Sequence, residues 1–174
     1  MCKILAMDLS MNLPAFAVVS IVKEKGKKKV MIDDVMFIDN KKKIKKTHAE
    51  KLKLIQQGLI KLIERNDLIN DEVHVVREKG FSRFATTTQT LFKVVGVSDL
   101  TILDLMGVNN IEEITPTSVK KYTTGDGKAS KMDVMDAVRN YLVTDQKDFK
   151  FYSDDVSDAV AVGISYAIKN GLLI

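Results

Sequence analysis

The sequence predicts an α/β domain whose sheet opens as an antiparallel meander, continues in parallel strands and is flanked by helices. Three observations carry this. Apolar runs separated by short turns open the chain and suit three consecutive strands. From Thr47 onward the apolar spacing becomes helical. After that, short β-branched runs alternate with helical stretches, the pattern of strands joined by helical crossovers. The expected order is β-β-β-α-β-α-β-α-α-α. The five strands form a mixed sheet in a single domain over residues 1–174, a length that one core can serve.

Each element has a local cause. Ile4 to Met7 and Ala15 to Val22 are apolar, and Asn12-Leu13-Pro14 reads as the turn between them. Lys25-Gly26-Lys27 marks a second turn, and Val30 to Ile38 follows as the third strand. Thr47-His48-Ala49-Glu50 has the form of a capping box. The helix it opens carries Leu52, Ile55, Leu59, Leu62 and Ile63 on one face and ends at Asn66-Asp67. Val73 to Val76 is a buried strand that stops at Arg77-Glu78. Thr86 to Met106 reads as a helix and Ile111 to Ile114 as a short strand. Thr115-Pro116 places an N-cap before proline at N1 and starts a helix through Tyr122. Gly125-Asp126-Gly127 is a turn, Ala129 to Val143 a helix, and Ser153 caps a final helix through Lys169.

Apolar residues make up 45% of the chain and charged residues 29%, the balance of a globular protein with a sizeable core. The net charge is +4, and the lysines cluster. Lys23, Lys25, Lys27, Lys28 and Lys29 form one run, and Lys41, Lys42, Lys43, Lys45 and Lys46 another. Such runs suit a polyanion, nucleic acid or an anionic membrane surface; solvated loop tips are the alternative. The single cysteine, Cys2, allows no internal disulfide, and with two histidines it builds no zinc pattern. Ala15-Phe16-Ala17 imitates a signal-peptidase site, but Asp8, Ser10, Asn12 and Pro14 interrupt the apolar stretch before it. No run is long enough to span a bilayer. The expectation is a cytoplasmic protein.

The residues that could carry chemistry are carboxylates at element ends. Asp8 and Glu78 each close an apolar strand, where burial is costly without a partner or a cation. Asp155 and Asp158 stand three apart at the start of an apolar helix and share a face. Strand end, strand end and helix start can converge on one edge of a sheet. An all-oxygen set of this kind suits paired hard cations and phosphodiester hydrolysis. Each residue also has a plain structural reading. Asp154, Asp155 and Asp158 could complement the helix dipole, Glu78 could pair with Arg77 or Lys79, and Asp8 could cap a turn. His48 and His74 read as structural.

In its motifs the chain resembles the RuvC family of Holliday-junction resolvases, in particular the phage-encoded branch. Ile4-Leu5-Ala6-Met7-Asp8 matches a strand ending in a single Asp. Val75-Val76-Arg77-Glu78-Lys79-Gly80-Phe81 matches a strand ending in Glu with Phe three residues on. Val119-Lys120-Lys121, Gly125-Asp126-Gly127 and Ser130-Lys131 match a helix, a glycine turn and a lysine-bearing helix start. Asp155-Val156-Ser157-Asp158-Ala159 matches Asp-x-x-Asp-Ala. The four occur in order, so the resemblance spans nearly the whole chain. It implies an RNase H-like fold, a homodimer, and Asp8, Glu78, Asp155 and Asp158 as catalytic residues holding Mg²⁺ or Mn²⁺, two ions per site. Lys120 and Lys131 would then hold phosphate near the scissile bond, and Phe81 would pack against bases at the branch. Arg83, Lys121 and Lys128 would join them in contacting DNA. The helix from Thr86 would supply the dimer contact, because Leu91, Phe92, Val94, Val95, Val97, Leu100, Ile102, Leu103 and Leu105 cover more than one face; other helices of the same chain are the alternative cover.

Leu9-Ser10 stands where the family usually has Pro-Gly, and Pro14 where glycine is common. The lysine runs are heavier than the family needs, which extends the expected substrates from Holliday junctions to forks, flaps and Y-junctions. Two other readings stay open at this level. One is a non-catalytic binder of branched nucleic acid with the same fold. The other is a sugar-kinase or actin-like ATPase, which would need a glycine-rich loop after the first Asp where Leu9-Ser10-Met11-Asn12-Leu13 stands.

Overall fold

A computed structural model describes residues 2–41, 46–70, 72–80 and 84–173. Strands β1 (Cys2–Asp8), β2 (Ala15–Glu24) and β3 (Lys27–Phe37) form an antiparallel meander. Helix α1 (His48–Arg65) crosses to β4 (Val73–Glu78), and α2 (Ala85–Met106) crosses to β5 (Glu112–Ile114). Helices α3 (Pro116–Thr124), α4 (Lys131–Tyr141) and α5 (Asp154–Lys169) complete the order, with a 3-10 turn at Thr144–Gln146. The sheet runs β3-β2-β1-β4-β5, with β1, β4 and β5 mutually parallel. The expected element order and mixed sheet are therefore present.

The caps formed as their sequences require. The Thr47 hydroxyl accepts from the Glu50 amide at 3.2 Å while Glu50 reaches back to the Thr47 amide at 2.7 Å. Thr115 and Ser153 cap α3 and α5 through their side chains. Several boundaries shift by one to three residues from the sequence reading, and two of the shifts have a clear local cause. Ser130 and Asp133 form a second capping box, so α4 starts at Lys131 rather than Ala129. The third strand starts at Lys27 rather than Val30, because Lys25 (φ 49°) and Gly26 (φ 80°) alone close the hairpin. Lys27, Lys28 and Lys29 are consequently strand residues, with Lys28 opposite Lys23. Of the second lysine run, Lys42, Lys43 and Lys45 lie outside the described residues.

Strand alternation divides the core into two layers. Ile4, Ala6, Ala17, Val19 and Val76 face α5, with α3 and α4 beyond it. Leu5, Met7, Phe16, Val18 and Val75 face the layer of Ile55, Leu59, Leu62 and Ile63 from α1. Helix α5 is buried along most of its length and lies close on β1 and β2. A Cβ at Gly163 would stand 3.1 Å from Val19 and 3.2 Å from Ala6, so glycine permits the close approach. Helix α2 rests on α1 and leaves Phe92, Leu100 and Leu103 exposed, which intramolecular cover would have hidden. No helix among the described residues is long and apolar enough to cross a membrane.

Candidate active site

Register and parity assemble the site. In the parallel pair, Met7 stands opposite Arg77, so the next residues, Asp8 and Glu78, end adjacent strands side by side. Asp8 shares its face with Ile4 and Ala6, and Glu78 shares its face with Val76. Both thus point toward the α5 side of the sheet. Helix α5 begins at this same end, where Ser153 turns the chain and the first turns present Asp155 and Asp158. The four carboxylates line one cavity of about 310 Å³, together with Pro116, Val119 and Lys120 of α3 and Lys131 and Val134 of α4. A crevice outside the carboxyl ends of parallel strands is where an open α/β sheet places its chemistry.

The charges are strained in a specific way. Among the described residues, neither Asp8 nor Glu78 has a hydrogen-bond or ion-pair partner. Burial first, then the negative charges of Glu78, Asp158 and Asp155, pushes the Asp8 carboxyl up to about 7. Burial and Asp158 push Glu78 up to about 7 against the pull of Lys131 and Lys120. Lys131 Nζ donates to Asp158 at 2.9 Å, and this bond raises the proton affinity of the ammonium. Among the described residues no three such side chains are already gathered tightly enough to hold an ion. The donor set nevertheless fits a hard cation. It is all oxygen, two of its members are unpartnered, and added positive charge would relieve the repulsion that holds their protons.

The plain alternatives for these residues resolve differently. Arg77, 9% exposed, faces away from the site and pairs with Asp99 of α2 and, at 2.9 Å, with Glu113 of β5. Lys79 approaches Glu113 at 3.9 Å. Glu78 is left to the cavity. Asp154 is exposed at the first turn of α5 and fits the dipole reading, whereas Asp155 and Asp158 line the cavity. His74 meets the Tyr166 hydroxyl at 2.9 Å and is structural. Among the expected DNA contacts, Lys120 and Lys131 line the cavity, whereas Lys121 and Lys128 are exposed outside its walls. Phe81 and Arg83 lie outside the described residues. Sequence reasoning missed Pro116 and Val134 as cavity walls and the Asp99–Arg77–Glu113 bridge. The only signal for the bridge was an arginine inside an otherwise apolar strand.

Carboxylates gathered at the adjacent ends of the first and fourth strands of a mixed sheet, with two lysines in the same cavity, define a class of α/β proteins with an all-oxygen site at the sheet edge. Comparison with known proteins narrows the class. The sequence profile described as "Crossover junction endodeoxyribonuclease RuvC" matches residues 4–166, and the chain belongs to the RuvC family. A protein of that name from Helicobacter hepaticus is 33% identical over 138 residues, covering 69% of this chain and 71% of its own length. The Caldanaerobacter subterraneus protein of the same name is 31% identical over 125 residues, with coverage of 72% and 71%. The Thermus thermophilus RuvC structure superimposes with a TM-score of 0.78 at 19% identity, covering 98% of this chain and 96% of that one. The same protein in complex with a Holliday junction substrate gives 0.78 over 99% and 96%. The fowlpox virus Holliday junction resolvase gives 0.53 at 18% identity, over 98% and 99%.

Proposed function

We propose that this protein is a structure-selective endonuclease that hydrolyses phosphodiester bonds in branched DNA, Holliday junctions first, with forks, flaps and Y-junctions as further substrates. The observation that carries the reading is the single cavity holding Asp8, Glu78, Asp155 and Asp158 against two lysines. Membership of the RuvC family supports it. The four carboxylates would hold Mg²⁺ or Mn²⁺, two ions per site, which when bound supply an activated water and stabilise the leaving oxygen.

The chain's own groups do the rest. Lys120 and Lys131 bring positive charge to a cavity whose other charged walls are carboxylates, so a phosphate can enter without facing negative charge alone. Lys131 is tied to Asp158 through the 2.9 Å bond. As phosphate or a cation enters, that ammonium can turn from the carboxylate to the phosphate oxygens and free Asp158 as a ligand. Val119 and Val134 close the inner wall and limit water around the scissile bond.

We assign the active form to a homodimer, since two symmetric nicks need two sites related by a two-fold axis. Phe92 (62% exposed), Leu100 (56%) and Leu103 (45%) recur at helical spacing on the outer face of α2. Between them the Cβ position of Gly96 meets open space. A second copy of this helix is the cover such a stripe requires.

Labelled four-way junction, fork and linear duplex, incubated with Mg²⁺, Mn²⁺ or EDTA, test the reading. Metal-dependent cutting of the branched forms is expected. Binding of junctions without cutting in either metal would favour a non-catalytic binder of the same fold.

A further inference from the structure

The lysine run over residues 23–29 lies at the pole of the sheet opposite the cavity. Asp8 is paired with Ala15, and Lys23 stands eight residues beyond Ala15 on β2, roughly 27 Å away at about 3.4 Å per residue. At that distance the run takes no part in the chemistry at the carboxylates. Among the described residues, β1 pairs with β2 no farther than Cys2 with Ile21, whereas β2 and β3 stay paired as far as Glu24 with Lys27. Val22 to Lys29 thus continue past β1 as a two-stranded ribbon, closed by Lys25 and Gly26 in the left-handed region.

The five lysines of the ribbon divide into two groups. Lys28 Nζ donates to the Gly171 carbonyl at 3.5 Å, and Lys29 Nζ donates to the Asn140 carbonyl at 2.7 Å. Those carbonyls stand at the ends of α5 and α4, where the helix dipole favours positive charge. A carbonyl is neutral, so the ribbon keeps both charges. Lys23, Lys25 and Lys27 are exposed, and their ammonium groups have no hydrogen-bond or ion-pair partner among the described residues. The ribbon's single carboxylate, Glu24, accepts from the Thr144 amide and hydroxyl, each at 2.9 Å. Lys23 is directly opposite Lys28, a like-charge pair that costs stability and that an anion relieves.

Strand parity says what kind of anion fits. Lys23 and Lys28 are two residues from Ile21 and Val30, so they share the α5 face of the sheet. Lys27 lies on the other face, and Lys25 is at the tip. A flat anionic membrane meets one face of such a ribbon and is held by inserted apolar side chains, but the tip offers only lysine and glycine. Duplex DNA carries phosphates on both sides of each groove, and its major groove, about 12 Å wide, admits a two-stranded ribbon. We propose that the β2–β3 ribbon is a second duplex-binding element, which grips DNA phosphates through Lys23, Lys25 and Lys27 without regard to sequence or branching. It needs neither the carboxylate cavity nor a metal. Held on duplex at one pole, the chain keeps its cavity at a raised effective concentration over neighbouring DNA.

The test is fluorescence anisotropy of a labelled linear duplex, titrated with the full chain in EDTA over a series of salt concentrations. Replacing Lys23, Lys25 and Lys27 together by alanine should weaken binding about tenfold or more. It should also flatten the slope of log affinity against log salt by roughly 2–3, at about 0.9 per lost phosphate contact. The same three positions changed to arginine should keep the wild-type slope, with thermal unfolding confirming that both triple variants fold. The pair Lys53→Ala and Lys61→Ala, exposed on α1, controls for net charge and should change the slope by less than about one. An alanine triple with wild-type affinity and slope overturns the proposal and leaves these lysines as guards of an exposed edge strand. Equal flattening by the α1 pair overturns it too, by reducing the effect to net charge. So does an alanine triple that loses binding to phosphatidylserine vesicles while duplex binding is unchanged, which assigns the ribbon to a membrane. A chain that cuts no branched DNA in either metal, yet loses duplex binding in the alanine triple, refutes the nuclease reading alone and supports this one.

Discussion

Replacing Asp8 by Asn should make the metal-free protein more stable while destroying its activity. A carboxyl whose proton is held to about 7 instead of 3.8 resists ionisation by about 4 kcal/mol, at 1.36 kcal/mol per decade. Part of that resistance is repulsion shared with Glu78, Asp158 and Asp155, and it is relieved when the charge is removed. Part is burial, which an amide also feels, because it must find hydrogen bonds of its own. The expected net gain is about 1–3 kcal/mol at pH 8 in EDTA, or about 3–10 °C in Tm for a chain of this size. With metal the order reverses. The wild type should gain stability as Mg²⁺ is titrated in, by mass action, and Asp8→Asn should gain little. Cleavage should drop at least about 100-fold, since several kcal/mol of charge stabilisation go with a lost ion. Junction binding should stay near wild type, because Lys120 and Lys131 are untouched. Differential scanning fluorimetry at pH 8, with and without Mg²⁺, beside a junction-cleavage assay, reads all of this. An Asp8→Asn protein that melts below the wild type in EDTA, or that cuts at the wild-type rate, would refute the reasoning.

Other perturbations have equally definite outcomes. Asp8 and Glu78 have native proton affinities raised from 3.8 and 4.5 to about 7, so between about pH 4 and 7 the native state binds more protons than the unfolded one. Stability in EDTA should therefore fall as pH rises through that window and level off above it, and Mg²⁺ should flatten the fall; equal slopes for wild type and Asp8→Asn would count against it. Arg77→Met should cost about 1–3 kcal/mol in urea unfolding, because a buried guanidinium, 11% exposed at its side chain, leaves Asp99 and Glu113, 41% and 37% exposed, without their partner; no loss would mean that the bridge is inert. Leu100→Glu should halve the mass seen by light scattering, from twice the 19.5 kDa chain mass to that of one chain, and abolish paired cuts; an unchanged dimer would move the interface off α2.

Local chemistry made much of this molecule legible before any coordinates. Capping at Thr47, Thr115 and Ser153 depends on residues three positions away, and the alternation of Ile4 to Met7 or the stripe of Ile55, Leu59 and Leu62 depends on period alone. The element order and the four carboxylates at element ends could be read for that reason. What the tertiary structure decided is every relation across long stretches of chain. Only the register that pairs Met7 with Arg77 sets Asp8 beside Glu78. Only strand parity turns Glu78 toward α5 and sends Arg77 to Asp99 and Glu113, where a one-residue slip would have exchanged them. The lysines separate in the same way. Lys120 and Lys131 reach the cavity, while Lys121 and Lys128 stay outside it, because helix rotation and turn geometry were settled by packing rather than by charge. The second cavity at this end of the sheet had no sequence signal, since Asn12, Thr86 and Thr87, which line it, are ordinary loop and helix-start residues until the fold sets the loop after β1 beside the start of α2. A sequence encodes local preference residue by residue, but a site is made of distances between residues far apart in the chain, and only collapse around a shared core fixes those.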